Sequence, residues 1–149
     1  MKKTLCTLLT AMLFIATFTA CGGPKNYADG TYTATSSVYE NDDGTDEGNG
    51  YGEVSVTIKD NAIVDCTFQT YKTDGTLKDT DYGKEDGEVA NRDYYNKAQK
   101  AVAACDQYAS MLLQNGQLPG IDAISGATVN YDQFCEAVSL ALKQAETDK

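Results

Sequence analysis

The segment YGEVSVTIKDNAIVDCTFQTY, residues 51–71, leaves the chain few structural choices. Val54, Val56 and Ile58 alternate with Ser55 and Thr57, a period of two that an extended strand converts into one apolar face. Asp60-Asn61 follows, a pair that tolerates the positive φ of a two-residue turn. The chain then returns with Val64, Cys66 and Phe68 at alternate positions. Two alternating runs joined by a tight turn predict an antiparallel hairpin with one covered side. The rest of the chain must supply the cover.

Upstream, DGTYTATSSVY (residues 29–39) predicts a further strand near 30–39. ENDDGTDEGNG (40–50) is acidic and glycine-rich. Aligned as a calcium loop on Gly44 or Gly48, it lacks the closing Glu in both registers, and the first puts Tyr39 where an acid belongs. It reads as a solvated loop. KTDGTLKDTDYGKEDGEVA (72–90) is long and polar, and a loop of this length in a compact domain is either functional or floppy. From Asn91 the spacing becomes helical. Tyr95, Ala98, Val102, Cys105, Tyr108 or Ala109, and Leu112 make one stripe, which Gly116 and Pro119 terminate. A second helix is expected from about Tyr131 to Ala145, burying Phe134, Val138, Ala141, Leu142 and Ala145, with Asn130 and Gln133 as a capping box. Strands first and helices afterwards predict an α+β domain, a small antiparallel sheet with two C-terminal helices packed on one face.

The first twenty residues have another character. Lys2 and Lys3 precede an apolar run from Leu5 to Phe18, and Thr19-Ala20 stand before Cys21. That order is an export signal (residues 1–20), too short and poorly flanked for a membrane span. A cysteine directly after the small residues resembles a bacterial lipobox, so Cys21 is the expected lipid attachment site and residues 21–28 a tether. The domain proper is then 29–149. The expected location is extracytoplasmic, on the membrane through the lipid.

Composition removes several functions. The net charge is −10, and the expected signal takes two lysines with it. So acidic a product is no partner for nucleic acid or anionic headgroups. The chain contains no histidine, which excludes Ser-His-Asp and Cys-His catalysis and imidazole ligation of zinc or copper; no metal site is expected. Cys66, Cys105 and Cys135 form no CxxC pair and read as small buried hydrophobes, a bridge between Cys105 and Cys135 being the alternative.

One stretch is unexplained by folding alone. GIDAISGATVNYDQ (120–133) places Ser125-Gly126-Ala127-Thr128 just ahead of the second helix. Gly120 and Gly126 free the backbone, and amides ahead of a helix favour a phosphate. Thr128 offers a hydroxyl with small neighbours, so a phosphate can be bound or a phosphoester formed here. Asp122-Ala123-Ile124-Ser125-Gly126-Ala127-Thr128 resembles the D-x-x-S/T-G-A-T motif of the FMN-binding domain family, and DGTYT, GYGEVSVTIKDNAIVD and the closing helix extend the likeness over residues 29–145. Relatives often carry Thr-Ser or Ser-Ser where Asn130-Tyr131 stands.

The resemblance implies FMN carried covalently by a phosphoester on Thr128, with Ser125, Gly126 and Ala127 forming the loop around the phosphate. Asp122 belongs to the segment that a separate flavin transferase, using FAD, recognises. It further implies an exported electron carrier whose partners are redox proteins or a quinone-linked reductase. No base or second substrate site accompanies the motif, so a redox carrier is expected rather than an independent catalyst. An aromatic wall for the ring is sought among Tyr51, Tyr71, Tyr82, Tyr94 and Tyr95, with Tyr82 first. The competing expectation is a surface lipoprotein that binds a ligand or partner and never receives flavin.

Overall fold

The computed structural model describes residues 25–45 and 47–147. The expected signal peptide and Cys21 lie outside them. Strands β1 (Gly30–Thr35), β2 (Tyr51–Lys59) and β3 (Ala62–Tyr71) form an antiparallel sheet in the order β1-β2-β3, and helices α1 (Arg92–Asn115) and α2 (Thr128–Ala145) follow. α1 lies over β3 while α2 lies over β1 and β2. Val54, Val56, Ile58, Cys66 and Phe68 meet the helices in one core. This is the expected α+β arrangement.

The hairpin turns as its sequence requires, with φ of 52° at Asp60 and 61° at Asn61. Its register then shifts. Thr57 pairs with Asp65 but Ile58 pairs with Ile63, which leaves Val64 as the extra residue of a bulge. Val64, expected in the core, is therefore 52% exposed, and Ile63 packs against the core in its place. The first strand is also shorter than the expected 30–39. It stops at Thr35, where the Ser36 hydroxyl accepts from the Gly52 N–H at 2.9 Å and takes over the ladder. Tyr39 rejoins through a pair of backbone bonds to Gly50, so residues 40–50 hang as a loop from that bridge.

α1 is capped as a helix of this sequence should be. The Asn91 side chain accepts from the Tyr94 N–H at 3.0 Å, and Gly116, at φ 70°, ends the helix in the left-handed conformation. Ala98, Cys105, Tyr108, Ala109 and Leu112 are buried as its spacing predicts, with Tyr95 and Val102 only half-buried. α2 differs from expectation. It begins at Thr128 rather than Tyr131, and no side chain caps it. Asn130 and Gln133 are inside the helix and buried. Their amides donate into the protein, Asn130 to the Ala101 carbonyl and Gln133 to the Gly50 carbonyl, each at 2.8 Å. A buried amide needs an internal partner, and these two found theirs across the core rather than at the helix start.

Phe134 has no exposed surface. Its ring stands edge-on to Phe68 at 5.1 Å and stacks on Tyr108 at 5.6 Å, tying α2 to both β3 and α1. Cys66 and Cys105 are buried and Cys135 is half-buried; all three are free thiols, and Cys105 and Cys135 are not bridged. Burial pushes the Cys66 thiol up to about 12, which leaves it protonated and unreactive at neutral pH.

The long loop 72–90 is anchored, not floppy. Lys78 is buried, and its ammonium donates to the Gly48 carbonyl at 3.0 Å and lies 5.1 Å from the Tyr82 ring centroid. The Tyr82 hydroxyl accepts from the Gly48 N–H at 3.2 Å. Both polar groups of Gly48 are thus held from the second loop, and the two loops form one wall.

Burial pushes the Lys78 ammonium down to about 8 from its ordinary 10.5. Between those values the unfolded chain holds a proton that the folded chain has lost, so this lysine makes stability rise with pH through the window 8 to 10.5. Below the window its burial cost is fully present. The difference in urea-unfolding free energy between wild type and Lys78→Met is expected to shift towards wild type across that window; a difference independent of pH would contradict the assignment. A second prediction concerns packing. A Cβ on Gly52 would sit 2.6 Å from the Phe68 ring and 3.1 Å from the Gln133 Cβ. Gly52→Ala is expected to lower unfolding free energy by about 1–3 kcal/mol in denaturant melts.

Candidate functional site

The motif loop is shaped by one buried phenol. The Tyr108 hydroxyl accepts from the Ile124 N–H at 2.8 Å and donates to the Ala127 carbonyl at 3.1 Å. Between those two residues the chain makes a tight turn, closed by the Ala127 N–H on the Ile124 carbonyl at 2.9 Å. Gly126 takes φ +84° there, a conformation that glycine adopts without strain and that the third position of a type II turn demands. Ala127 is buried, so the turn ends against the core and Thr128 emerges exposed as the first residue of α2.

Thr128 opens onto a cavity of about 280 Å³. One side is the start of α2, from Gly126 to Asn130; another is α1, through Tyr94, Lys97, Ala98 and Ala101. The joined loops close it with Tyr39, Asn41, Glu47, Gly48 and Tyr82. Tyr82 and Tyr94 meet edge to face at 6.4 Å and form an aromatic corner. The helix start lacks a side-chain cap, so the amides of its first turn are available to an anion, where the dipole also favours negative charge.

Cations collect at this place in an otherwise acidic chain. Lys97 lines the cavity and pairs with Glu47 at 2.9 Å; that hydrogen bond raises its pKa above the ordinary value. The Lys100 side chain runs over the turn, its Nζ 3.5 Å from where a Gly126 Cβ would stand. Lys78 lies behind Tyr82. An aromatic chamber with an uncapped helix start, Lys97 in its wall and Lys100 over the adjoining turn fits a phosphorylated aromatic compound, and FMN is of that type.

The expected site residues separate into groups. Gly126, Ala127, Thr128 and Tyr82 all line the cavity. Ser125 is exposed at the head of the turn but does not line the chamber. Asp122 is exposed and borders a separate groove with Met111, Asn115 and Gly120, a surface position. Of the other tyrosines, Tyr94 lines the cavity. Tyr51 and Tyr71 stack on each other at 5.4 Å at the end of the hairpin, and Tyr95 spends its hydroxyl on the Thr80 carbonyl at 3.1 Å. Sequence reasoning missed Tyr39, Lys97 and Lys100. Lys97 and Lys100 sit one turn apart on α1, near enough to Tyr94 to have been placed beside it, whereas nothing in the spacing marks Tyr39.

Two solved structures are similar. A crystal structure of a Clostridium perfringens protein is 21% identical, with 80% of this chain and 88% of that one covered and a TM-score of 0.58; it shares the fold. A solution structure from Clostridium thermocellum is 24% identical over 81% of this chain and 94% of that one, with a TM-score of 0.42. Comparison with curated proteins gives no match. The model of the FMN-binding domain matches residues 49–143, a span that runs from β2 through the motif turn into α2 and takes in most of the cavity wall. This chain belongs to the FMN-binding domain family.

Proposed function

We propose that the protein is an extracytoplasmic electron carrier whose FMN is joined through a phosphoester to Thr128, with Cys21 as the lipid anchor. The observation that carries this reading is the position of Thr128: exposed, at an uncapped helix start, and opening onto the tyrosine-walled cavity. In attachment from FAD the Thr128 Oγ–P bond forms, the FAD pyrophosphate bond breaks, AMP leaves, and the hydroxyl proton passes to the transferase. Thr128 supplies the oxygen, and the Gly126 turn leaves it sterically open. The first-turn amides of α2, with Lys100 and Lys97, offset the phosphate charge.

When bound, the flavin supplies one- and two-electron redox chemistry. The chain's own contribution is a chamber that holds a ring against Tyr82 and Tyr94 and excludes water from one side. No described helix is long and apolar enough to cross a membrane, so attachment in this reading rests on the lipid. Redox proteins or a quinone-linked reductase would exchange electrons with it.

Co-expression with a flavin transferase tests the reading. After denaturation, wild type is expected to keep its yellow colour and an FMN-sized mass increase, while Thr128→Ala loses both. A colourless wild type would leave a ligand-binding lipoprotein as the better account. Label retained by Thr128→Ala would place the attachment elsewhere.

A further inference from the structure

Beside the flavin chamber lies a second, smaller cavity of about 170 Å³. The two share Tyr39 and Val129 as a common wall. Val38 completes the apolar part, and Asp132, Gln133 and Glu136 of α2 form the polar part. A cavity of about 150 Å³ admits a benzene ring, so this space suits one side chain and not a cofactor.

Its chemistry is that of a cation receptor. Asp132 and Glu136 stand one helical turn apart, on the same face of α2. Neither has an ion-pair partner among the described residues, in contrast to Glu47, which Lys97 neutralises. Glu136 is held in place, accepting from the Ser37 N–H at 3.0 Å and from the Ser37 hydroxyl. The Gln133 Oε1 is the single buried side-chain polar atom without a hydrogen-bond partner among the described residues. The rim is apolar and open, with Val38 53% and Tyr39 39% exposed. A small solvated ion would leave these two side chains in water; a protein surface carrying the cation would cover them.

We propose that this cavity receives an arginine or lysine side chain of the protein that exchanges electrons with the loaded domain. The inference rests on the carrier reading for the partner's role. A cationic anchor seated here sits against Tyr39, and therefore against the wall of the flavin chamber. The acidic charge of the whole chain attracts a basic partner, and Asp132 and Glu136 are the carboxylates that this cavity offers it.

Two measurements test it. In the first, unloaded protein is titrated with N-acetyl-arginine amide and with the neutral citrulline analogue, and amide NMR shifts are followed. Arginine is expected to move Val38, Val129 and Gln133 saturably, citrulline is not, and Asp132→Asn/Glu136→Gln abolishes the response. Equal shifts from both compounds, an absence of saturable shifts, or an unaltered variant overturns the proposal. In the second, loaded and dithionite-reduced protein is mixed with ferricytochrome c, a basic protein. Each loaded chain gives two electrons, one to each of two ferric haems, and releases its protons to solvent. The double variant is expected to react roughly tenfold more slowly at low ionic strength, with the difference lost at high salt. Oxidation by anionic ferricyanide is not slowed. An unchanged cytochrome rate overturns the proposal. Should the chain never acquire flavin, the carrier reading fails by itself, and the arginine titration still decides whether the cavity binds a cation.

Discussion

Tyr108 has no exposed surface, and both capacities of its hydroxyl are spent on one loop: it accepts from Ile124 and donates to Ala127. Its ring stacks on Phe134 of α2. The phenol therefore joins α1, the motif turn and α2 at a single point. Without it the Ile124 amide would lose its partner near the core, at a cost of about 1–3 kcal/mol, and the Ala127 carbonyl would keep only the Tyr131 N–H. The turn's shape, the place where α2 starts and the emergence of Thr128 all follow from that arrangement.

The wall opposite the motif depends on a similar pairing of polar groups. Gly48 gives its N–H to the Tyr82 hydroxyl and its carbonyl to Lys78. Two polar, glycine-bearing loops that would otherwise be solvated become a fixed surface. A buried ammonium is costly, and here a carbonyl and an aromatic face receive it. The cavity beside Thr128 is thus framed by hydrogen bonds that connect loops distant in sequence, while most of the sheet and helix packing beneath it is apolar.

Much of this is legible in the amino-acid order. The alternation of Val54, Val56 and Ile58, the Asp60-Asn61 turn, the α1 stripe and the D-x-x-S-G-A-T motif are local patterns, and the backbone obeys them. Tyr82 can be singled out because it is an aromatic residue in a long polar loop. Val64 cannot be placed correctly, because a bulge inserts a residue there and puts Ile63 on the core side in its stead, while Cys66 and Phe68 keep their faces. Asn130 and Gln133 have the spacing of a capping box, yet their amides bond Ala101 and Gly50, partners far off in sequence.

Contiguous residues were enough for the class of fold and the family, since both depend on patterns whose periodicity or geometry is set by the backbone, and the motif's Thr128 hydroxyl is marked in the same way. Tertiary structure alone decided which side chains surround that hydroxyl. Lys97 is fixed there by Glu47, and Lys78 holds the Tyr82 loop from behind through Gly48, partners far apart in sequence. It also decided that Asp122 faces a different groove from Thr128. The physical reason is the same in each case: burial forces polar groups to find partners wherever the packed chain brings them, and no local pattern records where that will be.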